Sequence, residues 1–110
     1  MIVEYIKNTT VITQEKATFS ELVSKINNTY SEFSNNNIIV NLFSLSGLKA
    51  AQLNEFLLLS QKHKEQKHSF VIVASKIIFD EVNEELSVVP TLKEAHSFIE
   101  MEEIERDLGF

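Results

Sequence analysis

The sequence predicts an α/β domain in which three to four helices pack on a four- or five-stranded mixed sheet. Two almost wholly apolar runs, IIVNLF from Ile38 and SFVIVAS from Ser69, are typical of strands that are covered on both faces. A helical pattern of suitable length separates these strands, so they should lie parallel with a right-handed crossover. The whole pattern predicts the element order β-β-α-β-α-β-turn-β-α.

The first half of the chain predicts two strands and a helix. The runs MIVEYI and TVIT are rich in β-forming residues and are separated by KNT, which indicates a hairpin or two adjacent strands. Thr18, with Glu21 three residues later, forms a capping box that begins the first helix. The apolar stripe of that helix consists of Phe19, Leu22, Val23, Ile26, Tyr30 and Phe33.

The second half predicts two more helices and a last short strand. A helix runs from about Lys49 to Lys64, and its inward residues are Leu53, Phe56 and Leu57. The segment KIIFDEVNEE is ambiguous and fits one short helical turn, whereas LSVV is a strand that Pro90 ends. Thr91 and Glu94 form a second capping box, which begins an acidic helix at about residues 91–108. The apolar residues along this last helix are Leu92, Ala95, Phe98, Ile99 and Ile104.

Composition predicts a single globular domain that spans residues 1–110. The chain has 44% hydrophobic residues, one proline and two glycines, with no repeat and no linker. No apolar run approaches the roughly 20 residues that a membrane helix needs, and the first residues lack the pattern of a secretory signal. With no cysteine, the chain has no disulfide or thiol chemistry. We therefore expect a cytoplasmic protein without a membrane-bound part.

The chain is acidic, with a net charge of -6 from 16 acidic and 10 basic side chains. Nucleic-acid binders normally carry a basic face, because neutralising phosphates supplies much of their affinity, so direct nucleic-acid binding is not expected. In the last helix, Glu102, Glu103 and Glu105 should coat the exposed side. Glu102 and Arg106 are four residues apart and should pair there. A docking surface for a basic partner is the alternative interpretation of this acidic run.

The sequence shows no motif of a catalytic or metal-binding site. The three histidines, His63, His68 and His96, are scattered, and we expect them at helix ends in contact with solvent. Neither GxGxxG nor GxxxxGK[ST] occurs, so a loop that cradles phosphate is not expected. Ser46 lacks the GxSxG setting of an activated serine. The sequence therefore predicts a protein that is not an enzyme and uses no metal or other cofactor.

The strand, loop and helix at residues 38–64, together with the element order, resemble the STAS domain, the fold of bacterial anti-sigma factor antagonists. The run IIVNL is similar to the VLDL-type strand of that family, with Asn41 where an aspartate is usual. The run SFVIVAS is similar to the family's next apolar strand, and VVPTLKEAHSFIE to its terminal segment. The resemblance covers roughly residues 1–100 and implies a STAS-like layer.

In that family, a phosphorylated serine or threonine at the start of the second helix controls docking on an anti-sigma kinase. The family's Asp-Ser-Ser/Thr-Gly-Leu motif aligns with residues 49–53, KAAQL, which places Ala51 at the phosphoacceptor position. Alanine has no hydroxyl, so the resemblance implies a domain that cannot be switched there by phosphorylation. The alternative is that Ser44 or Ser46, in the preceding loop, has taken over as phosphoacceptor.

The resemblance implies a non-catalytic protein-interaction module that binds an anti-sigma factor or sensor-kinase-like partner, as a monomer or weak homodimer. The predicted partner-binding residues are Ser44, Ser46, Leu48, Lys49, Ala50, Ala51 and Gln52. Phe43, Leu45 and Leu48, beside Ala50 and Ala51, are candidates for a flat docking patch. The alternative for these apolar residues, and for Phe43 in particular, is that they seal the top of the core.

Two other functions stay open at this point. One is an accessory role beside a ribonuclease Z-type RNA-processing enzyme, without nuclease activity of its own, since the three histidines cannot supply the His-x-His-x-Asp-His zinc motif. The other is a small-ligand sensor, because some STAS domains bind nucleotides or lipids. The scarcity of glycine and the acidic charge argue against the second.

Overall fold

The elements of the structure follow the order that the sequence predicts. The structure is a computed structural model and describes residues 1–109. Its strands are β1 (Ile2–Ile6), β2 (Thr9–Thr13), β3 (Asn37–Asn41), β4 (Phe70–Val73) and β5 (Ser87–Val89). Its α-helices are α1 (Phe19–Thr29), α2 (Leu57–Glu65) and α3 (Leu92–Asp107). Short 3₁₀ segments occur at Tyr30–Glu32, Ala50–Phe56 and Phe79–Glu81. The predicted α/β fold class is confirmed.

The five strands form one mixed sheet in the order β1-β2-β3-β4-β5. β1 and β2 are antiparallel and form a hairpin, in which Lys7 takes a positive φ of 56° at the turn. β2, β3, β4 and β5 are mutually parallel, which confirms the parallel pairing predicted for the two most apolar strands. Because these four strands point the same way, their carboxyl ends share one edge of the sheet, called here the carboxyl edge.

Helices cover both faces of the sheet. Successive side chains of β3 point to opposite faces of the sheet. Ile38 and Val40 pack with residues of α1 and α2 on one face, and Ile39 packs with residues of α3 on the other. All three side chains are fully buried. This two-sided burial explains why β3 and β4 are almost continuously apolar instead of alternating with polar residues.

The first helix begins at its predicted capping box. The Glu21 amide donates to Thr18 Oγ1 at 3.2 Å, and the Thr18 amide donates to Glu21 Oε1 at 3.1 Å. Two otherwise unpaired backbone donors of the first turn are thereby satisfied. The helical region continues through the 3₁₀ segment Tyr30–Glu32, and both Tyr30 and Phe33 are buried as predicted.

The second predicted helix has two parts. Ala50–Phe56 is a 3₁₀ helix, and the α-helical part begins only at Leu57. The buried residues of the first part, Ala50, Leu53 and Phe56, are spaced three apart. Since a 3₁₀ helix has about three residues per turn, this spacing keeps all of them on one side, towards the core.

The apolar residues of the last helix divide between its two sides. Ala95 and Ile99 are buried against the sheet, whereas Ile104 is 56% exposed. In the second half of the helix the side that faces the sheet carries Arg106. Its guanidinium group donates to Ser69 Oγ at 3.2 Å and to Asn37 Oδ1 at 3.5 Å. These bonds to the start of β3 and β4 fix the rotation of the helix and leave Ile104 outside.

The acidic residues of α3 also depart from the prediction of a fully solvated face. Glu102 and Glu103 are half-buried, and Glu103 Oε2 accepts hydrogen bonds from Asn8 and Asn37. Arg106 points to the sheet rather than to Glu102, whose Oε1 is buried without a hydrogen-bond partner within residues 1–109. Within the same residues, no helix combines the length and the apolar character required to cross a membrane.

Candidate functional site

The loops that leave β3 and β4 form an open cleft of about 740 Å³ at the carboxyl edge of the sheet. Residues 47–51 line one wall, and Lys76, Ile77, Ile78 and Glu81 line the other. In parallel α/β sheets this edge is the usual place for binding sites, because the loops there are held by a rigid scaffold. The first wall contains four of the predicted partner-binding residues: Leu48, Lys49, Ala50 and Ala51.

The first wall is shaped by a tight turn at the end of β3. Asn41 Oδ1 accepts a hydrogen bond from the Phe43 amide at 3.1 Å, which turns the chain away from the sheet. Gly47 follows with a φ of +73°, a conformation that glycine adopts without strain. No atom lies within 4 Å of the position that a Cβ on Gly47 would occupy, so it is the backbone conformation and not a lack of space that favours glycine there.

The start of the 3₁₀ segment completes this wall. The Lys49 amide donates to Gln52 Oε1 at 2.8 Å, and the Gln52 amide donates to the Lys49 carbonyl at 3.0 Å. This reciprocal pair closes the first turn without a Ser, Thr or Asp cap. Ala51 is exposed in that turn and presents a methyl group at the cleft.

The predicted partner-binding residues divide into an exposed and a buried set. Ser44, Ser46, Lys49, Ala51 and Gln52 are exposed. Leu48 and Ala50 are buried, so these two side chains seal the core, which is the alternative that the sequence left open. Both residues still lie in the lining of the cleft.

Phe43 takes the opposite position. It is 55% exposed, so it does not seal the core, and it stands on the loop that leaves β3. Leu45 is half-buried and packs against the core. Of the three apolar loop residues, only Phe43 is therefore largely free to contact another molecule.

Sequence reasoning missed the second wall of the cleft. Ile78 is 63% exposed and Phe79 is exposed beside it, although both are large apolar residues. The 3₁₀ segment Phe79–Glu81 contacts the Ala50–Phe56 segment, which brings the two walls together. One signal was present: in a parallel sheet the loop after β4 must leave from the same edge as the loop after β3.

The electrostatic character of the cleft is mixed. Lys49 and Lys76 are exposed, one in each wall, and Glu81 lies in the second wall. The lining therefore combines two ammonium groups and one carboxylate with apolar side chains. This combination suits an amphipathic protein segment that carries acidic residues.

The histidines do not lie as the sequence predicts. His63 is fully buried, and its Nδ1 is 2.6 Å from the Tyr30 hydroxyl while its Nε2 is 2.7 Å from the Asn36 carbonyl oxygen. Burial lowers the pKa of His63, since the charged imidazolium is poorly solvated there. The His68 ring lies 5.3 Å from the His63 ring, centroid to centroid, and His96 is half-buried on α3. Within residues 1–109, no three or more His, Cys, Asp or Glu side chains cluster as metal ligands do.

Neither a protein-family model nor a curated protein matches the chain. What the fold and the cleft define is a class: a small α/β domain whose five-stranded mixed sheet carries an open, partly apolar cleft at its carboxyl edge. The STAS resemblance stays a prediction from the sequence.

Proposed function

We propose that the protein is a non-catalytic interaction module that binds a protein partner in the carboxyl-edge cleft, as STAS-like anti-sigma factor antagonists do. The observation that carries this proposal is the exposure of Ile78 in the cleft, together with the exposure of Phe43 on the loop that leaves β3 and continues into the first wall. Burying an apolar side chain of this size against a partner contributes roughly 1.5–3 kcal/mol. Large apolar side chains exposed around a concave site are typical of docking surfaces.

The charges at the cleft favour an acidic segment of the partner. Lys49 and Lys76 lie on opposite walls, so a bound segment that carries carboxylates reaches an ammonium group on either side. Rim charges of this kind mainly steer association and fix orientation, whereas the apolar contacts supply the affinity. A sensor-kinase-like anti-sigma factor with such a segment is the partner we propose.

Control by phosphate at the helix start is not part of this proposal. In the STAS family a phosphate adds about two negative charges and breaks the docking fit. Ala51 carries only a methyl group at this position, so binding is constitutive with respect to residue 51.

Binding of purified sensor-kinase-like anti-sigma factors to the protein and to Ala51→Asp tests the proposal. A carboxylate at residue 51 imitates the phosphate and should weaken the complex at least tenfold. Leu58→Asp is the matched control: it introduces the same charge at an 82% exposed residue of α2 that does not line the cleft, and should leave the affinity unchanged. Equal affinity of Ala51→Asp and the wild type, or no complex with any candidate, would contradict the proposal.

A small-ligand sensor is a second candidate, favoured by the volume of the cleft. About 740 Å³ lies within the range of roughly 300–1,000 Å³ that is usual for small-molecule sites. Lys49 and Lys76 provide charges for a phosphate-bearing nucleotide or lipid headgroup. A thermal-shift titration with nucleotides and a short-chain phospholipid tests it. Stabilisation that is lost in Lys49→Gln supports ligand sensing, and an unchanged melting temperature rules it out.

A further inference from the structure

The outer face of α3 carries a stripe of apolar residues that faces solvent. Met101, Ile104 and Leu108 are 60%, 56% and 65% exposed. Spaced three and four residues apart, they lie on one face of a helix with 3.6 residues per turn. This outer stripe lies opposite the face on which Ala95 and Ile99 pack against the sheet.

The position of the outer stripe is determined by the contacts of the inner face. Glu103 accepts hydrogen bonds from Asn37 and Asn8, and Arg106 donates to Ser69. These polar contacts hold the second half of the helix against the start of β3 and β4. The helix cannot rotate its apolar residues inward without breaking them.

Acidic residues border the outer stripe on both sides. At about 100° per residue, Glu94 and Glu105 fall on one flank, and Glu100 and Asp107 fall on the other. All four are exposed. The cations of the segment are Lys93, on the outer side, and Arg106, which is engaged with the sheet. The outer face is therefore apolar along its centre and negative along its rims.

The acidic rims determine which kind of molecule can bind favourably on the outer face of α3. A second copy of the chain would place acidic rims against acidic rims, and an anionic membrane surface would repel them. A partner helix with apolar residues flanked by Lys and Arg complements both features. We infer that the outer face of α3 docks a basic amphipathic helix of another protein.

This second surface is distinct from the cleft. The amino-terminal end of α3 follows β5 and so lies near the carboxyl edge, whereas residues 101–108 lie along the half that contacts Asn37 and Ser69, at the opposite edge of the sheet. The chain thus offers two docking surfaces at opposite edges. The inference does not depend on what binds in the cleft.

The test uses a synthetic amphipathic helix of leucines and lysines, about five turns long, as the probe. Fluorescence anisotropy measures its affinity, and chemical-shift changes in the isotope-labelled protein locate it. We expect micromolar binding, shifts confined to residues 97–108, and binding that weakens several-fold as salt rises, because exposed charges are screened.

Two variants separate specific docking from general attraction to an acidic protein. Met101→Ser/Ile104→Ser leaves the charge unchanged and should weaken binding at least tenfold, because the apolar contacts are lost. Leu58→Ser, at the exposed residue of α2, should bind as the wild type does. A matched peptide with glutamate in place of lysine should not bind.

Any of four results overturns the inference. These are equal affinity of the double variant, equal binding of the glutamate peptide, shifts centred on the cleft, and no binding up to about 1 mM peptide. Sedimentation of the protein alone adds a fifth: a dimer that the double variant abolishes would identify a second copy as the occupant.

Discussion

The Tyr30 hydroxyl and Nδ1 of His63 lie 2.6 Å apart in the core, although the two residues are 33 positions apart in the chain. A carbonyl oxygen only accepts, so Nε2 of His63 must donate to Asn36. In the neutral ring Nδ1 is then an acceptor, and the Tyr30 hydroxyl donates to it. This pair ties α2 to the end of the α1 region.

The buried His63 makes stability depend on pH. Its pKa is lowered from the ordinary value of 6.5 by burial, so the unfolded chain binds more protons than the folded one between the two values. The contribution of His63 to the free energy of unfolding should therefore have its full value above about pH 6.5. It should decrease as the pH drops towards the pKa of the folded state. Urea unfolding of the wild type at pH values from about 8 to about 5, on both sides of the unfolded pKa of about 6.5, measures this dependence.

A histidine variant assigns that dependence. His63→Gln retains an acceptor and a donor but does not titrate, so the decline below about pH 6.5 should flatten. A decline in His63→Gln as steep as that of the wild type would contradict this assignment.

Tyr30→Phe removes the donor and leaves Nδ1 of His63 buried without a partner. Such an unsatisfied group costs about 1–3 kcal/mol, and we expect the free energy of unfolding to fall by that amount. Tyr5→Phe removes the same hydroxyl from an exposed residue of β1 and should change stability by less than about 0.5 kcal/mol. Equal effects of the two variants in urea unfolding would show that the hydroxyl of Tyr30 is not engaged as described.

Thr18→Ala removes the acceptor of the capping box at α1. The Glu21 amide then loses its partner, and the free energy of unfolding should fall by about 0.5–2 kcal/mol. Ser20→Ala, an exposed change in the first turn of the same helix, is the control and should have a much smaller effect. A Thr18→Ala protein as stable as Ser20→Ala would contradict the role of the cap.

Local signals were enough to predict most elements of this fold. Thr18 and Glu21 lie three residues apart and bond to each other, so their effect needs no tertiary partner. The continuous apolar run of β3 likewise predicts, without any tertiary partner, that both faces of the strand are buried. The three-residue spacing of Ala50, Leu53 and Phe56 is typical of a 3₁₀ helix, so the sequence also contains a local signal for the 3₁₀ start of the second helix.

The sequence does not predict those side-chain positions that depend on contacts with residues distant in the chain. His63 follows Phe56 and Leu59 on the buried side of its helix. The hydrogen-bond partners of its two ring nitrogens, however, are Tyr30 and Asn36, which are distant in the sequence. Arg106 bonds to Ser69 and Asn37 instead of the predicted Glu102, and nothing near Arg106 in the sequence indicates these distant partners. The second wall of the cleft was missed because residues 74–86 have no regular periodicity of their own.

The most direct test of the proposed function is an amide chemical-shift map of the labelled protein titrated with an anti-sigma factor that it binds. We expect the largest changes in residues 43–52, on the loop that leaves β3 and the first wall of the cleft, and in residues 76–81, on the second wall. The outer face of α3 and the exposed side of α2 should stay unchanged. Changes centred on α1 and α2, with both walls of the cleft unaffected, would contradict it.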